Sequence, residues 1–99
     1  MLYVIIGRDA PNALEVRRRV RPEHLARAQT LVDQGRMVLA GPLPAIDSPD
    51  PGPAGFTGSL IVAEFPSLGD AEAWIAADPY VTQGVFASFE VRPFLKVLP

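Results

Sequence analysis

The chain has 99 residues, enough for one domain with a modest core, because short chains bury a smaller share of their surface than long ones. Lys and Arg number 9 against 11 Asp and Glu, and the net charge of -2 offers no general attraction to nucleic-acid phosphates or anionic lipid. Cysteine is absent, which excludes a disulfide framework, a thiolate zinc site and a cysteine nucleophile.

Leu2 to Ile6 is a short β-branched and aromatic run that stops at Gly7, as a strand does. The opening Met1-Leu-Tyr-Val-Ile-Ile6 has no basic leader and meets Arg8 and Asp9 too soon for a signal peptide or a membrane span, so a cytoplasmic chain is expected. Asn12 is a candidate cap for a helix beginning at Ala13, which Pro22 is expected to break or kink. From Pro22 a second helical segment carries Leu25, Ala28, Leu31 and Val32 on one face and ends at Gly35. Met37 to Ala40 is a second strand, expected to end by Pro42 because proline cannot donate to a ladder.

Ala45 to Thr57 is dense in Pro, Gly and Asp and reads as a long ordered loop. A third strand lies within Gly58 to Phe65, after which Ser67 can cap a helix that aligns Leu68, Ala71, Trp74 and Ile75 and ends at Asp78-Pro79. From Val85 onward, Val85, Ala87, Phe89 and Val91 alternate with Phe86, Ser88, Glu90 and Arg92, and Pro93 marks an edge strand.

The order β-α-β-β-α-β over residues 1–99, joined by right-handed crossovers, gives one α+β domain of ferredoxin-like topology. It has a four-stranded antiparallel sheet with two helices on one face. Strands one to three are almost continuously apolar, so the other face also wants cover. A second copy, paired through the sheet face as a homodimer, is the simplest cover.

His24 is the single histidine and the only side chain that ordinarily titrates near neutrality. The topology brings Asp78, after the second helix, toward the first helix. A carboxylate on one ring nitrogen would fix the tautomer and leave the other nitrogen for proton transfer. On residue types alone, the more economical reading is a partly buried helix histidine and a helix-ending Asp-Pro turn. Arg17, Arg18, Arg19 and Arg21 read first as a solvated helix face, with an Arg that fixes an anionic substrate as the functional alternative. Trp74 reads as core. Gly52-Pro-Ala-Gly-Phe-Thr-Gly58 lacks the Gly-Lys-Ser/Thr of a phosphate loop and precedes a strand. One histidine without cysteine leaves too few nitrogen or sulfur ligands for a transition-metal site within one chain, so no metal is expected.

Met1-Leu-Tyr-Val-Ile, Arg21-Pro-Glu-His-Leu25, Leu39-Ala-Gly-Pro42, Ala45-Ile-Asp-Ser48, Gly52-Pro-Ala-Gly-Phe-Thr-Gly58, Ala77-Asp-Pro-Tyr80 and Val91-Arg-Pro-Phe94 together resemble the YciI-like, YCII-related domain family along the whole chain. The resemblance implies a ferredoxin-like fold of the dimeric α/β-barrel superfamily and a His-Asp catalytic pair, which maps onto His24 and Asp78. It also makes Gly41, Pro42, Asp47, Ser48 and Phe56 candidates for the pocket wall, and Arg21, from the basic run, joins them as a candidate for substrate binding. The superfamily includes cofactor-independent isomerases, lyases and monooxygenases acting on small cyclic compounds.

The function expected is therefore an enzyme without cofactor, of isomerase or lyase (dehydrochlorinase) type. His24 would move a proton on a small, cyclic or aromatic-derived substrate, oriented by Asp78. The alternative is a non-catalytic module that binds a small ligand or a partner protein. RNA binding on the sheet is disfavoured, since Leu60-Ile-Val-Ala63 carries neither stacking aromatics nor basic residues.

Overall fold

Four apolar strands and two principal helices account for the domain. In the computed structural model, which describes residues 1–99, the elements are β1 (Leu2–Asp9), α1 (Leu14–Asp33), β2 (Met37–Pro44), β3 (Phe56–Glu64), α2 (Leu68–Ala76), α3 (Pro79–Thr82) and β4 (Phe86–Phe94). The sheet order is β2-β3-β1-β4 with every neighbouring pair antiparallel, the ferredoxin-like α+β arrangement of the dimeric α/β-barrel type.

Register decides which side chains meet the helices. Tyr3 stands opposite Ala63 and Ile5 opposite Ile61, and these four share one buried core with Val20 and Leu31 of α1 and Ala71 and Ile75 of α2. On the other face Leu2, Val4 and Ile6 are half-buried and line up with Leu60 and Val62. Phe86 turns inward over Gly7, helped by a register shift between Arg8 and Asp9; any side chain at Gly7 would collide with its ring.

Several expectations are corrected. Pro22 does not break the first helix: α1 runs unbroken for 20 residues. Pro22 lies on the exposed side, where water can take the Arg18 carbonyl that proline, having no N–H, leaves without a donor. Asn12 does not cap α1; Ala13 occupies that position, and Asn12 instead adopts a left-handed φ of 59°, which Asn tolerates in a turn. Leu25 and Val32 are exposed, and the buried stripe of α1 is Arg17, Val20, His24, Ala28 and Leu31. β2 continues past Pro42 to Pro44 because it is an edge strand, whose outer side needs no donor. Pro93 likewise lies on the edge strand β4.

Ser67 caps α2 as expected, accepting from the Asp70 N–H at 3.1 Å. α2 ends at Ala76, and Asp78 then caps the separate short helix α3, with Pro79 in its first turn. The Ala45–Thr57 loop contains a 3-10 turn at Gly52–Ala54 and passes into β3 at Phe56.

Candidate active site

Asp78 is the hinge of the site. Its carboxylate is completely buried and has three partners: His24 Nδ1 at 2.8 Å, the Tyr80 backbone N–H at 3.1 Å, and Arg27 Nη1 at 3.2 Å. Capping α3 fixes the carboxylate, and α3 packs Tyr80 directly behind the histidine. The Tyr80 ring stacks on His24 with centroids 3.9 Å apart and planes within 6°, while Phe86 holds Tyr80 edge-on from the far side. His24 is thus clamped between a carboxylate and an aromatic face. An ionised Asp78 carboxylate calls for a proton on Nδ1, and in the neutral imidazole that tautomer leaves the Nε2 lone pair free.

Arg27 completes the outer shell. It donates to the Trp74 carbonyl at 2.9 Å and lies over the Trp74 ring, 4.5 Å from its centroid. Trp74 packs against the core, as its helical spacing suggests.

A cavity of about 130 Å³ opens beside His24, between α1, β2, β3 and α3. Arg17, Arg21 and His24 line it from α1, Gly41 and Pro42 from β2, Ser59 from β3, and Tyr80 from α3; no carboxylate faces it. Its field therefore favours an anion or a polarised oxygen.

Of the residues singled out by sequence, His24 and Asp78 meet, and Arg21, Gly41 and Pro42 line the same cavity as His24. Asp47 and Ser48 do not line it: Asp47 is exposed, and Ser48 Oγ hydrogen-bonds with Asp50 within its own loop. Phe56 stands behind the site, its ring centroid 4.9 Å from the Arg17 guanidinium.

Arg17 is not part of a solvated face. It is 5% exposed and binds Asp9 with Nε and Nη2 at 3.0 and 3.1 Å; Nη2 also meets the Gly58 carbonyl and Ser59 Oγ, each at 2.9 Å. Glycine at 58 is required, since a Cβ there would collide with the Gly7 carbonyl. Arg17, Ser59 and Tyr80 were not legible as site residues from composition. The available signal was spacing, for Arg17 precedes His24 by seven positions and Val20 by three, in the helical register of one buried face.

Fold and site together define a small antiparallel α+β domain that holds a buried histidine on a carboxylate beside a carboxylate-free cavity. The YCII-related domain matches residues 1–95, and the chain belongs to that family. Protein YciI of Escherichia coli O6:H1 is 59% identical over 97 residues, covering 98% of this chain and 99% of that protein. An uncharacterised protein of Haemophilus influenzae is 52% identical over the same extent. Among solved structures, the 5-chloro-2-hydroxyhydroquinone dehydrochlorinase TftG of Burkholderia phenoliruptrix, in complex with 2,5-dihydroxybenzoquinone, superposes with a TM-score of 0.82 at 29% identity, covering 96% of this chain and 94% of that one. No helix here is long and apolar enough to cross a membrane.

Proposed function

We propose that the protein is a cofactor-independent lyase or isomerase in which His24 is the general base and Asp78 its orienting partner. The observation that carries this reading is the buried Nδ1–carboxylate contact of 2.8 Å beside a cavity without carboxylates. Nε2 takes a proton from a ring carbon next to a carbonyl or enol. The electron pair then either expels a leaving group from the adjacent carbon, an elimination, or returns to a proton at another carbon, an isomerisation. Neither route needs a covalent nucleophile, and positioned acid-base catalysis supplies roughly 100- to 10,000-fold. The likeness to a dehydrochlorinase that binds a dihydroxybenzoquinone favours small hydroxylated rings, with Arg21, Gly41 and Pro42 as substrate contacts.

The open sheet face is proposed to pair with a second copy. Leu2, Val4, Ile6, Leu60 and Val62 form an apolar stripe there, and Leu39, opposite Val62, is 50% exposed.

The test is release of chloride from chlorinated hydroxyhydroquinones, together with solvent-deuterium exchange into unchlorinated hydroxy-quinoid rings. The wild type should catalyse at least one, and His24→Gln should lose about 100-fold or more. Equal rates in wild type and His24→Gln would exclude the histidine as base. Binding without any turnover would favour the ligand-binding module instead.

A further inference from the structure

Three residues with donor groups that the His24–Asp78 pair does not use line the cavity: Arg17, Ser59 and Tyr80. Arg17 engages Asp9, Gly58 and Ser59 through Nε and Nη2, and none of these bonds uses Nη1. Ser59, 5% exposed, accepts an Arg17 proton on Oγ, so its own O–H points elsewhere and finds no acceptor in the chain. Tyr80 is 1% exposed; burial pushes its phenol above the ordinary 10.0, against the opposing pull of Arg17 and Arg21, so at neutral pH it is an O–H donor. No carboxylate lines the cavity, so an acceptor that enters it meets these donors without competition from an acidic side chain.

We propose that Arg17, Ser59 and Tyr80 form an oxyanion subsite that holds the substrate's carbonyl oxygen as it becomes an enolate. The inference rests on the reading of His24 as base and names its substrate class: a small carbonyl or enolisable ring compound with an acidic C–H next to the carbonyl. When His24 takes that proton, the C–H electron pair forms a carbon–carbon double bond and the carbonyl π pair moves to oxygen. The new charge falls among one guanidinium and two hydroxyl donors that are already fixed, so no reorganisation accompanies it. Stacking on His24 places the Tyr80 ring next to the base, which links the two halves of the site.

The subsite can be tested without a known substrate by titrating para-nitrophenol, whose phenolate mimics an enolate, with nitrobenzene as the neutral control. The wild type should bind the phenolate at least about tenfold more tightly than nitrobenzene. Ser59→Ala and Tyr80→Phe should each weaken phenolate binding by roughly tenfold to a hundredfold while nitrobenzene changes by less than about twofold, which also shows that the cavity is intact. His24→Gln should lose proton exchange yet keep phenolate binding. A wild type that binds phenolate no better than nitrobenzene, or variants that bind it as well as the wild type does, would overturn the subsite. Phenolate binding lost in His24→Gln alone would also overturn it, since the anion would then sit on the imidazolium. Phenolate binding sensitive to Ser59 and Tyr80, in a protein with no proton exchange, would keep the subsite and remove the base.

Discussion

Replacing Arg17 with methionine should be among the most destabilising single changes available in this chain. The side chains of Arg17 and Asp9 are each only 6% exposed, and the guanidinium satisfies both carboxylate oxygens, the Gly58 carbonyl and Ser59 Oγ. Methionine fills similar volume but leaves the Asp9 carboxylate buried without a partner, a change that costs about 3–5 kcal/mol. Against a total stability of ~5–15 kcal/mol, and at roughly 4–8 °C of melting temperature per kcal/mol, a fall of about 12 °C or more is expected by calorimetry. Removing both charges in Asp9→Leu/Arg17→Met should recover at least about 1–2 kcal/mol relative to Arg17→Met alone, because a buried pair exchanged for apolar residues is often nearly neutral. An Arg17→Met protein melting within about 4 °C of the wild type would show that the pair contributes little and that Asp9 finds water instead.

The exposed Pro22 costs α1 one hydrogen bond, so Pro22→Ala should stabilise the protein by about 1–3 kcal/mol, read as a raised urea midpoint at unchanged slope; a lowered midpoint would mean that the prolyl ring has a packing role. Glu90 accepts from Arg8 at 2.9 Å, a hydrogen bond that holds its carboxyl below the ordinary range. In Arg8→Gln its NMR titration should move up toward the ordinary carboxylate value, and an unmoved curve would assign the depression to Arg92. Because burial holds the Tyr80 phenol above 10.0, its contribution to stability is complete below pH 10.0 and is lost as pH rises through the folded value. Tyr80→Phe should accordingly flatten the alkaline decline in melting temperature, and an identical decline in both proteins would locate the alkaline titration elsewhere. Leu39→Glu, on the open sheet face, should yield a folded monomer by sedimentation, whereas an unchanged assembly would place any dimer contact on another surface.

The fold was legible because its signals are local. Apolar runs mark β1 and β3, and Ser67 carries the cap geometry that it advertises. Two of the misread stretches involve proline, whose effect depends on surroundings that the sequence does not display. Pro22 is compatible with a continuous helix only because it faces solvent, and Pro42 with a strand only because β2 lies at an edge. A rule about proline read along the chain cannot distinguish an outer position from an inner one until the sheet order is known.

The site divides along a similar line. His24 and Asp78 were suggested by resemblance and by topology, and their contact spans 54 positions, a distance over which residue types alone carry no geometry. Arg17 was misjudged because an arginine run usually lies in water. Only the first member of the run falls on the buried stripe, and it is held there by Asp9 at the end of β1 and by β3 backbone that can approach because residue 58 is glycine. Ser59 carries no sequence signal, being an ordinary strand serine, and Tyr80, the second residue of a single-turn helix, shows only as the end of the Ala77-Asp-Pro-Tyr80 motif, with no role attached. What brings them into one cavity is Asp78, which caps α3, anchors the histidine and takes the Arg27 charge with the same two oxygens. Replacing that carboxylate would therefore alter helix position, imidazole tautomer and ring stacking together. Asp78→Asn is accordingly a poor probe of any single role, whereas His24→Gln, Ser59→Ala and Tyr80→Phe each remove one function and leave the scaffold that Asp78 supports.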